Sequence, residues 1–257
     1  MAIYNISAGH NPDGKVACGA VGLIQESTEA RAVKNLVISK LQSLGHTVYD
    51  CTVDNGKSQS DVLQQIVKKC NAHKVDLDVS IHFNSGANDK SGNGKTTGTE
   101  VLVYSSKSAS LSEAKNIVNA ISALGFKNRG IKYRTDLYFL RKTTSPALLI
   151  ECCFVDDKDD VNLYSAETMA TAIVRGITGQ TVAATKTEVT TEATSSFKVK
   201  IIVDELNYRA GAGTSYKAKG SVKKGEVYTI TETSGNWGKL KSGAGWINIS
   251  SAYVVRM

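Results

Sequence analysis

The sequence predicts an α/β domain built on a largely parallel sheet with helices on both faces, followed by a small all-β barrel. Three observations carry this. From residue 1 to about 178, strand-like and helix-like segments alternate, the pattern of a parallel sheet covered on both sides. Residues 181–196 (TVAATKTEVTTEATSS) are rich in Thr and Ala, hold no aromatic residue and show no period, which reads as a linker. From Phe197 onward, short β-type runs alternate with turns that contain Gly. The expected organisation is therefore 1–180, a linker over 181–196, and 197–257.

Taken in order, Ile3–Ala8 reads as a strand, and a loop containing Gly9, Gly14, Gly19 and Gly22 follows. Residues 27–44 read as a helix, because Ala30, Val33, Val37, Leu41 and Leu44 recur at the three- and four-residue spacing of one helical face. Gly45 suits its stop. Thr47–Asp50 is a short strand, and a second helix over 59–73 places Val62, Ile66 and Cys70 together. A strand over 77–83, a helix over 111–124, an apolar strand over 147–150 and a helix over 166–178 complete the first domain. In the second domain, strands are expected over 199–203, 227–233, 239–240 and 246–249.

Composition excludes several classes. Of 257 residues, 41% are hydrophobic and 21% charged, ordinary for a globular protein and unlike a disordered chain. No run approaches the ~20 apolar residues of a membrane helix, so no stable membrane association is expected. The N-terminus lacks a basic start, an apolar core and a small-residue cleavage site. The expectation is synthesis in the cytoplasm without a signal peptide, and release by another agent if the protein acts outside. The five cysteines (Cys18, Cys51, Cys70, Cys152, Cys153) are odd in number and form no C-x-x-C pair, so most of them are read as small buried apolar side chains. Net charge is +7. Residues 1–180 carry 20 Lys and Arg against 18 Asp and Glu, and residues 181–257 carry 11 against 6. This basic C-terminal part can attract an anionic polymer: nucleic acid, a membrane surface or an acidic cell wall.

Topology sorts the four histidines. His46 and His73 each follow a helix and precede a strand, at the amino edge of the sheet. His10 follows the first strand and His82 lies near the end of the 77–83 strand, at the carboxyl edge where ligands gather in such sheets. Glu26 lies on the inward face of the first helix at its start, where a charge needs a partner or a metal. Glu151 directly follows the apolar run 147–150, also at a carboxyl end. Two His and one Glu form a common catalytic zinc set with one position left open, and a further Glu can serve as general base. On chemistry alone, an equally good reading makes His10 a loop residue and His82 a satisfied strand residue.

Further motifs tilt the balance. Ser7-Ala8-Gly9-His10 is followed by Asp13, by Gly19-Ala20-Val21-Gly22 and by Glu26. Asn71 precedes Ser80-Ile81-His82-Phe83-Asn84-Ser85. Then come Gly98-Thr99-Glu100, Leu140-Arg141 and Pro146-Ala147-Leu148-Leu149-Ile150-Glu151. In this order and spacing, residues 1–178 resemble the N-acetylmuramoyl-L-alanine amidases of amidase type 3. Two departures are visible. Cys153 stands where the family often has Gly after the last strand, and Asp50-Cys51 stands where it often has Thr-Arg. Residues 198–255 resemble a bacterial SH3-like domain, through Leu206-Asn207-Tyr208-Arg209 with Gly211 and Thr214-Ser215-Tyr216, then Lys223-Lys224-Gly225, Trp237 and Gly245-Trp246-Ile247.

The resemblance implies a zinc amidase acting on bacterial peptidoglycan, with His10, Glu26 and His82 as zinc ligands and Glu151 as the general base. Arg141 is a candidate for positioning an anionic substrate group. Tyr216 and Trp237 are candidates for exposed wall-binding aromatics, and Trp246 for the barrel core. The loop over 86–97 is expected to be mobile and to border the groove. The missing signal segment points to a phage or prophage endolysin acting at the wall after release, with a mother-cell lysis enzyme as the alternative. The rivals are a zinc peptidase cutting the peptide stem, a non-catalytic wall-binding protein and, last, a nucleic-acid binder.

Overall fold

The computed structural model describes residues 1–180, 196–212, 216, 218–234, 237–249 and 253–257. The expected linker lies outside these except for residue 196, as do residues 213–215 of the second domain's motif. The chain divides into two units, Met1–Ala184 and Thr185–Met257.

Among its described residues the first unit holds six strands: β1 (Ile3–Ala8), β2 (Thr47–Asp50), β3 (Leu77–Asn84), β4 (Thr99–Val103), β5 (Asn128–Tyr133) and β6 (Ala147–Phe154). They form one sheet in the order β2-β1-β3-β6-β4-β5. Every neighbouring pair is parallel except β4 with β6. The reversal matters below: the carboxyl ends of β1, β3 and β6 share an edge with the amino ends of β4 and β5.

Six helices accompany the sheet: α1 (Glu26–Ser43), α2 (Gln59–Cys70), α3 (Leu111–Ser122), α4 (Tyr138–Lys142), α5 (Lys158–Leu163) and α6 (Ala166–Thr178). In a strand, successive side chains point to opposite faces, and two buried clusters follow that rule. Ile6, Val79, Ile81, Val101, Val103, Leu148 and Ile150 pack with side chains of α1, α3 and α6. Leu102 and Leu149, one residue out of step, pack instead with Val62 and Ile66 of α2 and Phe139 and Leu140 of α4. The helices therefore cover both faces. Fully burying a residue such as Ile81 or Ile150 contributes ~1.5–3 kcal/mol each, and both have no exposed surface.

Beneath α2 the sheet carries a polar row. Asn5 donates from Nδ2 to Asp78 Oδ1 (2.7 Å) and to the Cys70 carbonyl (2.9 Å). Ser7 lies beside Ser80, and the row continues on β3 to His82. Central strands buried on both faces are usually apolar throughout, and this row leads to the edge where the chemistry-bearing residues gather.

In the first unit, the elements missing from the sequence reading are β4 as a full strand, β5, α4 and α5. β5 (NRGIKY) is half exposed with no alternation, and α4 has only five residues. Neither offers a period to read.

The second unit is an all-antiparallel seven-stranded sheet of β7 (Phe197–Ile201), β8 (Glu205–Arg209), β9 (Ala218–Lys223), β10 (Val227–Ser234), β11 (Trp237–Leu240), β12 (Trp246–Asn248) and β13 (Val254–Arg256). Its order is β13-β7-β10-β11-β12-β8-β9. Alternation is clean in β7, where Lys198 and Lys200 are exposed while Val199 and Ile201 are buried. Val199, Ile201, Leu206, Val222, Ile230, Leu240, Ile247 and Val254 form a core of its own.

Candidate metal centre and its carboxylate row

His10 leaves β1 at its carboxyl end, Glu26 opens α1 and His82 lies near the end of β3. One potential ligand atom from each lies within 4.8 Å of the others. Glu26 Oε1 is 3.0 Å from His82 Nδ1 and 3.3 Å from His10 Nε2. It also accepts the Phe83 N–H (3.2 Å), while Oε2 accepts the Ala20 N–H (2.7 Å). Burial alone would raise the Glu26 carboxyl, but hydrogen bonds from His10 and His82 outweigh it and hold it well below the carboxylate range. For His82, burial lowers the imidazole and wins over the opposing pull of Glu26. That direction favours the neutral imidazole, the form that ligates metals. Nδ1 faces Glu26 Oε1, and the Ser80 hydroxyl lies 3.0 Å from Nε2, where it can accept from the ring and leave Nδ1 to a metal.

The donor set fits a small dication. Ligands at ~2.0–2.1 Å in a tetrahedron stand about 3.4 Å apart, close to the separations around Glu26 Oε1. One further observation points the same way. Glu151 pairs in register with His82 across β3 and β6, so both project from the same face on adjacent strands. Its Oε2 is buried without a hydrogen-bond partner. Burial, then the charges of Glu26 and Glu100, push the Glu151 carboxyl well up, and only Arg134 opposes them. A cation beside Glu26 would offset this concentration of carboxylates.

Across β6, Glu100 faces Glu151 in the β4 register. Its Oε1 accepts from Asn84 Nδ2 (3.0 Å) and its Oε2 from Arg129 Nε (2.8 Å). Glu100 appears in the sequence only as part of a motif, and Arg129 escaped notice. Both sit at amino ends of strands, on the reversed part of the sheet, where a rule about carboxyl ends does not look.

The loop over 86–98 is tied down by the run Asp156, Asp157, Asp159 and Asp160. Asp156 accepts the N–H groups of Gly86, Ala87 and Asn88. Asp159 accepts those of Asn93, Gly94 and Lys95. Asp157 takes Thr97, and Asp160 takes Gly98. Although expected to be mobile, the segment is anchored by these carboxylates at both ends and in its middle.

His46 and His73 lie elsewhere. His46 Nδ1 accepts the Ala2 N–H (3.1 Å), and His73 stacks on Tyr49 at 3.7 Å between ring centroids. Arg141 is exposed on α4, and its charge acts on Asp136. Tyr216 is 51% exposed. Trp237 on β11 and Trp246 on β12 are half-buried, with Lys239 Nζ 5.8 Å from a Trp246 ring centroid.

Residues 5–179 match the family model described as N-acetylmuramoyl-L-alanine amidase, and residues 204–255 match that of the bacterial SH3 domain. An uncharacterized protein of Clostridium perfringens is 36% identical over 160 residues, which make up 62% of this chain and 45% of that protein. The chain thus spans about half the length of that relative. The endolysin of Bacillus phage SPP1 is 29% identical over 282 residues, covering 97% of this chain and 96% of the endolysin. Among solved structures, the catalytic domain of the CD27L endolysin targeting Clostridia Difficile is 26% identical, with a TM-score of 0.63. That match covers 71% of this chain and 99% of the other.

Proposed function

The chain belongs to the N-acetylmuramoyl-L-alanine amidase family, and from that membership we propose that it is a zinc-dependent hydrolase of bacterial peptidoglycan. The bond cut is the amide between N-acetylmuramic acid and L-alanine. The observation that carries this reading is the convergence of His10, Glu26 and His82 beside the unpartnered buried carboxylate of Glu151.

Zinc held by His10, Glu26 and His82 would supply Lewis acidity toward the scissile carbonyl and the attacking water. Glu151 does the proton work: it accepts the proton of the attacking water at its carboxylate and delivers it to the departing amine nitrogen. Ser80 fixes the ring of His82 through Nε2, while Ala20 and Phe83 hold the Glu26 carboxylate through their N–H groups. Such surrounding contacts keep ligands oriented. Arg141 stands as a contact for an anionic substrate group.

The second unit, as an SH3-like barrel, holds the enzyme to the wall, with Tyr216 and Trp237 as contact aromatics. Likeness over nearly the whole length to a phage endolysin supports a lytic role at the wall after release from the producing cell.

Product analysis of digested walls tests the reading. Amidase action leaves intact glycan and peptide stems that begin at L-alanine. A chelator should stop it and added zinc restore it. New amino termini within the stem would instead establish a peptidase, and intact walls a binding protein.

A further inference from the structure

Arg129 is placed by an irregularity in the sheet. Thr99 pairs with Asn128 and Val101 with Ile131, so β5 carries one extra residue against β4. Gly130 within that bulge has a φ of 78°, a left-handed conformation that glycine adopts readily. Bulges re-aim side chains, and this one turns Arg129 toward Glu100.

Its anchoring uses only part of the guanidinium. Nε donates to Glu100 Oε2 (2.8 Å), and the group lies over the Phe154 ring, 4.9 Å from its centroid. Glu100 is held on its other oxygen by Asn84. Asp160, whose carboxyl also feels the Arg129 charge, is already taken by the Phe154 and Gly98 N–H groups. Nη1 and Nη2 make no hydrogen bond among the described residues, and the side chain is 31% exposed while that of Glu100 is 11% exposed. An arginine fork held at Nε and on an aromatic face, with its two outer nitrogens unused among the described residues, is suited to a carboxylate bound through two hydrogen bonds.

Position narrows the ligand. Glu100 opposes Glu151 on the neighbouring strand, and β5 lies one strand further. Strands are ~4.8 Å apart, so the Arg129 fork stands roughly 5–10 Å from the reacting carboxyl. Extended peptide covers ~3.5 Å per residue, which brings the fork within reach of the residue after the L-alanine. We propose that Arg129, positioned by Glu100, binds the free carboxylate of an acidic second residue in the peptide stem and so makes the enzyme selective for stems that carry it. This rests on the amidase reading above.

The test uses the full chain and two soluble muramoyl-peptides that differ only in whether the second-residue carboxylate is free or amidated. Wild type should favour the free acid. In Arg129→Gln, the ratio of kcat/KM for acid over amide should fall about tenfold, the scale of losing a hydrogen-bonded charge pair, mainly through KM. Arg129→Lys, which keeps the charge but not the fork, should lose an intermediate share and covers the case in which the Gln variant does not fold. An equal loss on both substrates, or a wild type indifferent to amidation, overturns the proposal. Calorimetric binding of the two sugar-free stem peptides gives a readout independent of turnover. If wild type cleaves neither muramoyl-peptide, the amidase reading fails, while acid-selective binding lost in Arg129→Gln would still uphold the role of Arg129.

Discussion

A Cβ on Gly9 would fall 1.8 Å from His82 Cε1 and 1.9 Å from Nε2, and one on Gly19 would fall 2.4 Å from Glu26 Oε2. The two glycines leave the space that the imidazole and carboxylate occupy, so the proposed metal set depends on residues that donate nothing to it. Gly9→Ala should therefore lose zinc much as His10→Ala and His82→Ala do, while His46→Ala and His73→Ala keep it. Elemental analysis of the purified variants decides this, and full zinc in the His82 variant would sink the site. Glu151→Gln should hold zinc and lose about 10²–10⁴-fold in turnover, the usual contribution of a general acid–base residue. Near-normal wall hydrolysis by that variant would refute its role. The nearness of His10, Glu26 and His82 was legible because each lies toward the carboxyl end of a recognisable strand or opens a periodic helix, whereas Glu151, expected just past its strand, lies within β6, which runs on to Phe154. Arg129 was not legible, because its aim comes from a bulge at the start of a strand with no alternation.

At the scale of elements, legibility followed periodicity. α1 shows its buried face at Ala30, Val33, Val37 and Leu41, and β3 is buried from Leu77 to Phe83. The run of aspartates after β6 has no period, yet it organises the neighbouring loop. Asp157 is its hinge: it caps α5 by accepting the Asp159 and Asp160 N–H groups, and it accepts from Thr97. Losing a cap costs ~1 kcal/mol, and leaving the Thr97 N–H unpaired adds ~1–2 kcal/mol. Asp157→Ala should thus lower stability by about 1–3 kcal/mol, measured by denaturant unfolding of the full chain, and open the 86–98 segment to proteolysis. The effect has a pH signature. Burial pushes the Asp157 carboxyl up, but hydrogen bonds from Thr97, Asp160 and Asp159 outweigh it and hold it below the ordinary value. A depressed carboxyl stabilises the fold at pH above its unfolded value and loses that contribution as pH falls through the folded one. The gap between wild type and Asp157→Ala should be constant near neutrality and close below about pH 4, the ordinary aspartate range. A gap that widens in acid would show that the carboxylate is not what ties the loop.

For the whole molecule, the structure divides into two units, each with a core of its own. The charge divides with them. The first 180 residues are nearly balanced, and the excess of Lys and Arg falls in the C-terminal part, where Lys198 and Lys200 project from β7. If cutting and holding are separate tasks, residues 1–180 should fold alone, keep zinc and cleave small soluble muropeptides at near full rate. On intact walls that fragment should be slower, because a tethered binder raises the local concentration of enzyme at its substrate and the fragment has lost it. Residues 197–257 should bind walls without cutting them. Salt should weaken the electrostatic share of that binding within the range where the Debye length drops below ~10 Å, while aromatic and hydrogen-bonded contacts persist. Pull-down of the isolated C-terminal unit on purified walls across a salt series separates the two shares. Binding that vanishes with salt assigns the holding to the lysines, and binding that survives assigns it to side chains such as Tyr216 and Trp237. A unit that stays in the supernatant at the lowest salt is not the wall-targeting part, and the slower action of residues 1–180 on walls would then have to disappear as well.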